Sequence, residues 1–109
     1  MAKQLKFEYD GIEYTLEYTR KTVAQMEANG FIAREVDDKP MSTLPALFEG
    51  AFLAHHKWIK KEKVDEIYEH IPDKGELIGK LAEMYNEPIM SLVAEPENPE
   101  GNVNWTTNF

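Results

Sequence analysis

Cysteine is absent from this chain, which excludes a disulfide framework and thiolate metal sites. Long apolar runs are absent too: nothing approaches the roughly 20 residues that span a bilayer, and no apolar segment opens the chain as a secretory leader would. A cytoplasmic protein with no membrane role is expected. Positive charge is scarce. With 12 Lys and Arg against 20 Asp and Glu, the formal net charge is −8, which repels a phosphate backbone and argues against nucleic acid as a partner. At 109 residues there is room for one domain with a single modest core and for no second.

What is present changes its period once, near Thr19. Leu5, Phe7 and Tyr9 alternate with polar residues, and so do Ile12, Tyr14, Leu16 and Tyr18. Between the two runs stands Asp10-Gly11, a pair suited to a type I′ turn. The pattern predicts a hairpin over residues 3–18, with Tyr9 facing Ile12, Phe7 facing Tyr14 and Leu5 facing Leu16 on one apolar side. Such a hairpin is marginal alone and needs a cover.

Helices supply it, and the expected class is α+β, mainly α: an N-terminal two-stranded antiparallel hairpin followed by four or five short helices in one compact domain, residues 1–93. Thr19 caps a helix over 20–29, and Gly30 as the left-handed residue after it puts Met26 and Phe31 at positions that touch in a Schellman ending. A loop follows from 32 to 40, with Ile32 and Val36 turned inward. The strongest stripe is Leu44, Leu47, Phe48, Ala51, Phe52, His55, Trp58 and Ile59, which predicts a central helix over 43–60, capped by Ser42 or Thr43 and tolerating Pro45 in its first turn. Phe7, Tyr14 and Leu16 are expected to pack on Phe48 and Phe52. Val64, Ile67, Tyr68 and Ile71 predict a helix over 63–71 ended by Pro72. Asp73 and Glu76 read as a capping box for a helix over 74–86, broken by Pro88 and continued over 88–93. Residues 94–109 change to Pro, Glu, Asn, Gly and Thr, and read as a flexible acidic tail, disordered when free.

Catalytic chemistry is not evident in these residues. His55 and His56 are adjacent and diverge on a helix, so they cannot close on one metal, and His55 reads as a core or interface histidine. There is no HExxH, no glycine-rich phosphate loop and no nucleophile elbow around Ser42 or Ser91. No enzyme activity, cofactor or metal is expected. The candidate residues concern association instead. Ala46, Gly50 and Ala54, four apart, form a small-residue ridge open to intramolecular packing or to an interface between copies. Lys57, Lys60, Lys61 and Lys63 make a basic island, either a solvated face or one of two complementary ends with the acidic C-terminal segment. Trp105 and Phe109 are aromatic in a polar tail, either anchors for a partner or side chains folded back on the domain.

The stretches EYTRKTVAQMEANGF, DKPMSTLPALFEGAFLAHHK and LAEMYNEP resemble the short acidic tail assembly chaperones of long-tailed phages and prophages of Gram-positive bacteria. The likeness runs over residues 4–93 and rests on packing and capping patterns. It implies a mainly helical protein that holds the tape-measure protein, recruits tail-tube subunits and is missing from the mature virion; a homo-oligomer is an expectation of the small-residue ridge and the basic island instead. Two other readings stay open: a small acidic inhibitor or adaptor for a basic site on a phage or host protein, and a structural tail or head-completion protein.

Overall fold

A computed structural model describes residues 3–95, 101 and 103–108. Strands β1 (Gln4–Tyr9) and β2 (Ile12–Glu17) form an antiparallel hairpin in the expected register, with Leu5 opposite Leu16, Phe7 opposite Tyr14 and Tyr9 opposite Ile12. Asp10 and Gly11 both take positive φ, 53° and 77°, as a type I′ turn requires. Among the described residues four α-helices follow: α1 (Arg20–Ala28), α2 (Pro40–Gly50), α3 (Lys61–His70) and α4 (Lys74–Ser91), with a 3-10 turn at Ala33–Val36.

Local chemistry governs α1 at both ends. The Thr19 side chain accepts the Thr22 N–H, while the Thr22 hydroxyl oxygen accepts the Thr19 N–H at 2.9 Å. At the other end the Phe31 N–H reaches the Met26 carbonyl and the Gly30 N–H the Glu27 carbonyl, both at 3.0 Å, which is the bonding of a Schellman ending around Gly30 at φ 96°.

The helix expected over 43–60 is shorter and shifted. It starts at Pro40, a residue well suited to a first turn, so no Ser42 or Thr43 cap exists and Pro45 lies inside the helix on an exposed face. It ends at Gly50 because the backbone of the next residues is used elsewhere. The Ala51 carbonyl accepts the Glu17 N–H of β2 at 3.0 Å, and the amides of Ala51, Phe52 and Leu53 turn back only three residues to Phe48, Glu49 and Gly50. Ala51 and Phe52 stay buried, whereas His55 and Trp58, expected on the same stripe, are exposed.

Four other expectations are corrected. Pro88 does not break the last helix: in place of separate helices over 74–86 and 88–93 there is one element, α4, which runs through Pro88 and ends at Ser91. The Pro88 ring is buried, and Arg20 clamps the end of α4 through Nε to Ser91 Oγ at 3.0 Å and Nη2 to the Ser91 carbonyl at 2.8 Å. Asp73 makes no side-chain cap: it takes φ 53° to reverse the chain, and Lys74 Nζ donates to the Ile71 carbonyl at 2.9 Å at the end of α3. Within the 32–40 segment Ile32 is not turned fully inward but stays 43% exposed. Helix α3 also starts and ends slightly earlier than the expected 63–71.

The core joins the hairpin and the four α-helices. Leu16, Tyr18, Phe48, Phe52, Ile67 and Leu81 are its most completely buried large side chains. Phe7 and Tyr14 stack at 5.4 Å and both meet Phe52 edge-on, while Phe48 contacts Phe52 and Tyr68. The Tyr18 hydroxyl donates to the Leu47 carbonyl, and burial pushes its pKa up.

Candidate functional site

The end of α1, the 3-10 turn and α2 leave between them a half-open cavity of about 490 Å3. Gly50 stands at its floor. A Cβ there would lie 2.4 Å from Met26 Cε and 2.5 Å from its Sδ, so the bare backbone is what lets Met26 seat between α1 and α2. Ala46, one turn earlier, lines the same wall. Apolar surface comes from Met26, Phe31, Ile32, Leu53 and Ile59, and charge stands around it on Glu35, Lys39, Glu49 and Lys57. Glu35 and Lys39 pair at 3.6 Å. A cavity of this make-up accepts a few apolar side chains on a partner helix and holds polar groups at its margin.

The turn after α2 completes the wall and is tied to the hairpin. His56 Nε2 accepts the Thr15 N–H at 3.0 Å, which requires that nitrogen to be unprotonated. Burial, and then the neighbouring His55, hold the His56 pKa below its ordinary value. His55 Nε2 lies 2.6 Å from Glu17 Oε1, and this hydrogen bond holds the Glu17 carboxyl below the ordinary range. On the other strand, Tyr9 donates to Glu66 Oε2 at 2.7 Å, which raises its pKa to about 12.

The sequence-derived candidates do not form one patch. Ala46, Gly50 and Lys57 meet at the cavity, but Ala54 lies beyond the helix end, exposed and off its wall. The small-residue ridge is therefore interrupted, and Gly50 serves an internal contact. Lys57 Nζ sits 5.1 Å from the Trp58 ring, Lys60 precedes α3, and Lys61 pairs with Asp65 at 3.3 Å. Trp105 is exposed; Phe109 lies outside the described residues.

Sequence reasoning passed over two exposed apolar features, Trp58 and the end of α4 with the residues just after it, where Ile89, Met90, Leu92 and Val93 face solvent. Both carry apolar residues at helical spacing, the same signal that marks a core. Among the described residues no cluster of His, Asp and Glu could hold a metal ion, and no buried side-chain polar atom lacks a partner. No helix among them is long and apolar enough to cross a membrane.

Residues 1–109 match the family described as Domain of unknown function (DUF5055), and the chain belongs to that family. No curated protein and no solved structure matches it.

Proposed function

We propose that the protein is a non-enzymatic tail assembly chaperone that holds the tape-measure protein, the tail-tube protein or both in the bacterial cytoplasm while a phage tail is built. The observation that carries this reading is the cavity between α1 and α2, with apolar walls from Met26, Phe31, Ile32, Leu53 and Ile59 and a charged margin. It suits one apolar stripe of a client helix: i and i+4 side chains enter, and the helix's polar flanks meet Glu35, Lys39, Glu49 and Lys57. The resemblance over residues 4–93 names the clients. Trp105, exposed and outside the cavity lining, offers them a separate aromatic anchor.

Co-expression of the tagged chain with each tail protein tests the proposal. A client is retained by the parent, and Ile32→Asp, a change at a largely exposed cavity residue, weakens retention at least about tenfold while the melting temperature holds. Retention of neither tail protein would overturn the reading and leave the adaptor or inhibitor role ahead. Retention indifferent to Ile32→Asp would move the contact away from the cavity.

A further inference from the structure

The two edges of the hairpin are treated differently by the fold. In an antiparallel ladder closed by Tyr9 and Ile12, alternate residues bond across the pair and the others point their N–H and C=O groups outward. On β2 the outward amides are covered: Thr15 bonds His56 Nε2 and Glu17 bonds the Ala51 carbonyl, each at 3.0 Å. On β1 the outward residues are Gln4, Lys6 and Glu8; among the described residues no backbone bond from another element reaches them, and β2 is the one element with which β1 makes extensive contact. The apolar face shows the same asymmetry. Tyr14 and Leu16 of β2 are buried, whereas Leu5, Phe7 and Tyr9 of β1 are only half covered.

We propose that the outer edge of β1 pairs antiparallel with the same edge of a second copy, joining two hairpins into one four-stranded sheet. Charge selects the occupant and the register. When Phe7 faces Phe7 of the second copy, Lys6 stands opposite Glu8 of that copy, Glu8 opposite its Lys6, and Leu5 opposite its Tyr9. The outward groups of Lys6 and Glu8 then exchange about four backbone hydrogen bonds across the two-fold. Shifting the strands to centre on residue 6 would set Lys6 against Lys6, a like-charge pair that opposes association. The preferred register also answers a repulsion within the monomer. Glu8 lies directly across from Glu13 on β2, and neither is ion-paired among the described residues. A Lys6 from the second copy brings positive charge to Glu8. The central Phe7 pair covers the half-exposed rings that the monomer leaves at its margin.

Sedimentation equilibrium on the full chain, from about 1 µM to about 1 mM, tests this. The parent forms a reversible dimer. Lys6→Glu and Glu8→Lys each place like charges at both contacts and raise the dissociation constant roughly tenfold or more; both side chains are exposed, so the monomer stays folded, and Glu8→Lys, which sets a lysine across from Glu13, melts no lower than the parent at concentrations where both are monomeric. Mixing the two variant chains restores opposite signs at both contacts and yields a mixed dimer, and joining both changes in one chain restores the homodimer. A parent that stays monomeric at the highest concentration overturns the proposal, even if β1 then takes a strand from another protein. Self-association that ignores both single changes, or that is not recovered in the mixture, overturns it as well.

Discussion

Phe52 and Trp58 share one stripe of the sequence pattern, yet the chain buries one and exposes the other, so truncating each to alanine measures where α2 ends. Phe52 is 1% exposed, and its ring centroid lies 5.1 Å from Phe48, 5.9 Å from Tyr14 and 6.5 Å from Phe7. A buried Phe→Ala change costs about 3 to 5 kcal/mol, and the edge-on contacts put Phe52→Ala toward the upper end. Against a total of about 5 to 15 kcal/mol for a small domain, that is a third or more of its stability. Trp58 is 86% exposed and touches the Lys57 ammonium, an open cation–π contact. Its loss costs less than about 1 kcal/mol. Urea unfolding followed by circular dichroism reads both, with the slope of the transition checked for constancy. Large and equal losses would mean that the helix continues past Gly50 and buries Trp58. A loss below about 2 kcal/mol at Phe52 would refute its place at the junction of hairpin and helices.

Three further outcomes are expected. Gly50→Leu destabilises the monomer by about 1 to 3 kcal/mol through its collision with Met26 and leaves the mass unchanged by light scattering; a change of mass without loss of stability would place Gly50 in an interface between copies. Thr19→Ala removes the acceptor for the Thr22 amide and lowers stability by about 1 kcal/mol in the same unfolding assay, and no loss would show that the cap is dispensable. The His56 pKa is depressed in the folded chain, so its contribution is whole above the ordinary value of 6.5 and declines as pH falls from there through the folded value. Glu17, also depressed, adds a second decline below its ordinary 4.5. Melting temperatures across this range should show the first decline flattened in His56→Gln, whose amide oxygen can still accept from Thr15, and a parent indifferent to pH between about 7 and 5 would exclude His56 as a determinant.

Those features of the fold that depend on a few adjacent residues were legible in the sequence. Asp10-Gly11 specifies its turn through positive φ at both residues, and the register of six paired positions follows from it. Thr19 and Gly30 mark the two ends of α1 because cap bonds span only three to five residues; the reciprocal bond from the Thr22 hydroxyl emerged only from the structure. The features that failed are those decided by distant groups. Pro88 costs a rung of α4, but Arg20, far away in sequence, holds the final turn from outside. The stripe past Gly50 kept its helical spacing while β2 took the Ala51 carbonyl, and nothing in the local pattern reports that competition.

That same competition makes the candidate site. A helix continued from Gly50 would carry Ile59 about 13 Å further along its axis, away from Ala46 and the end of α1. Because α2 stops, Leu53, His56 and Ile59 fold back to line the cavity that Ala46 and Gly50 already border. The bond from Thr15 to His56 fixes this turn against the hairpin, so cavity wall and covered sheet edge share one set of contacts. Sequence reading named Ala46 and Gly50 for a small-residue ridge and Lys57 for a basic island, without placing them around one cavity. It assigned Leu53 no role and placed Ile59 in a continuing core stripe, since their position depends on where a helix ends and not on what they are.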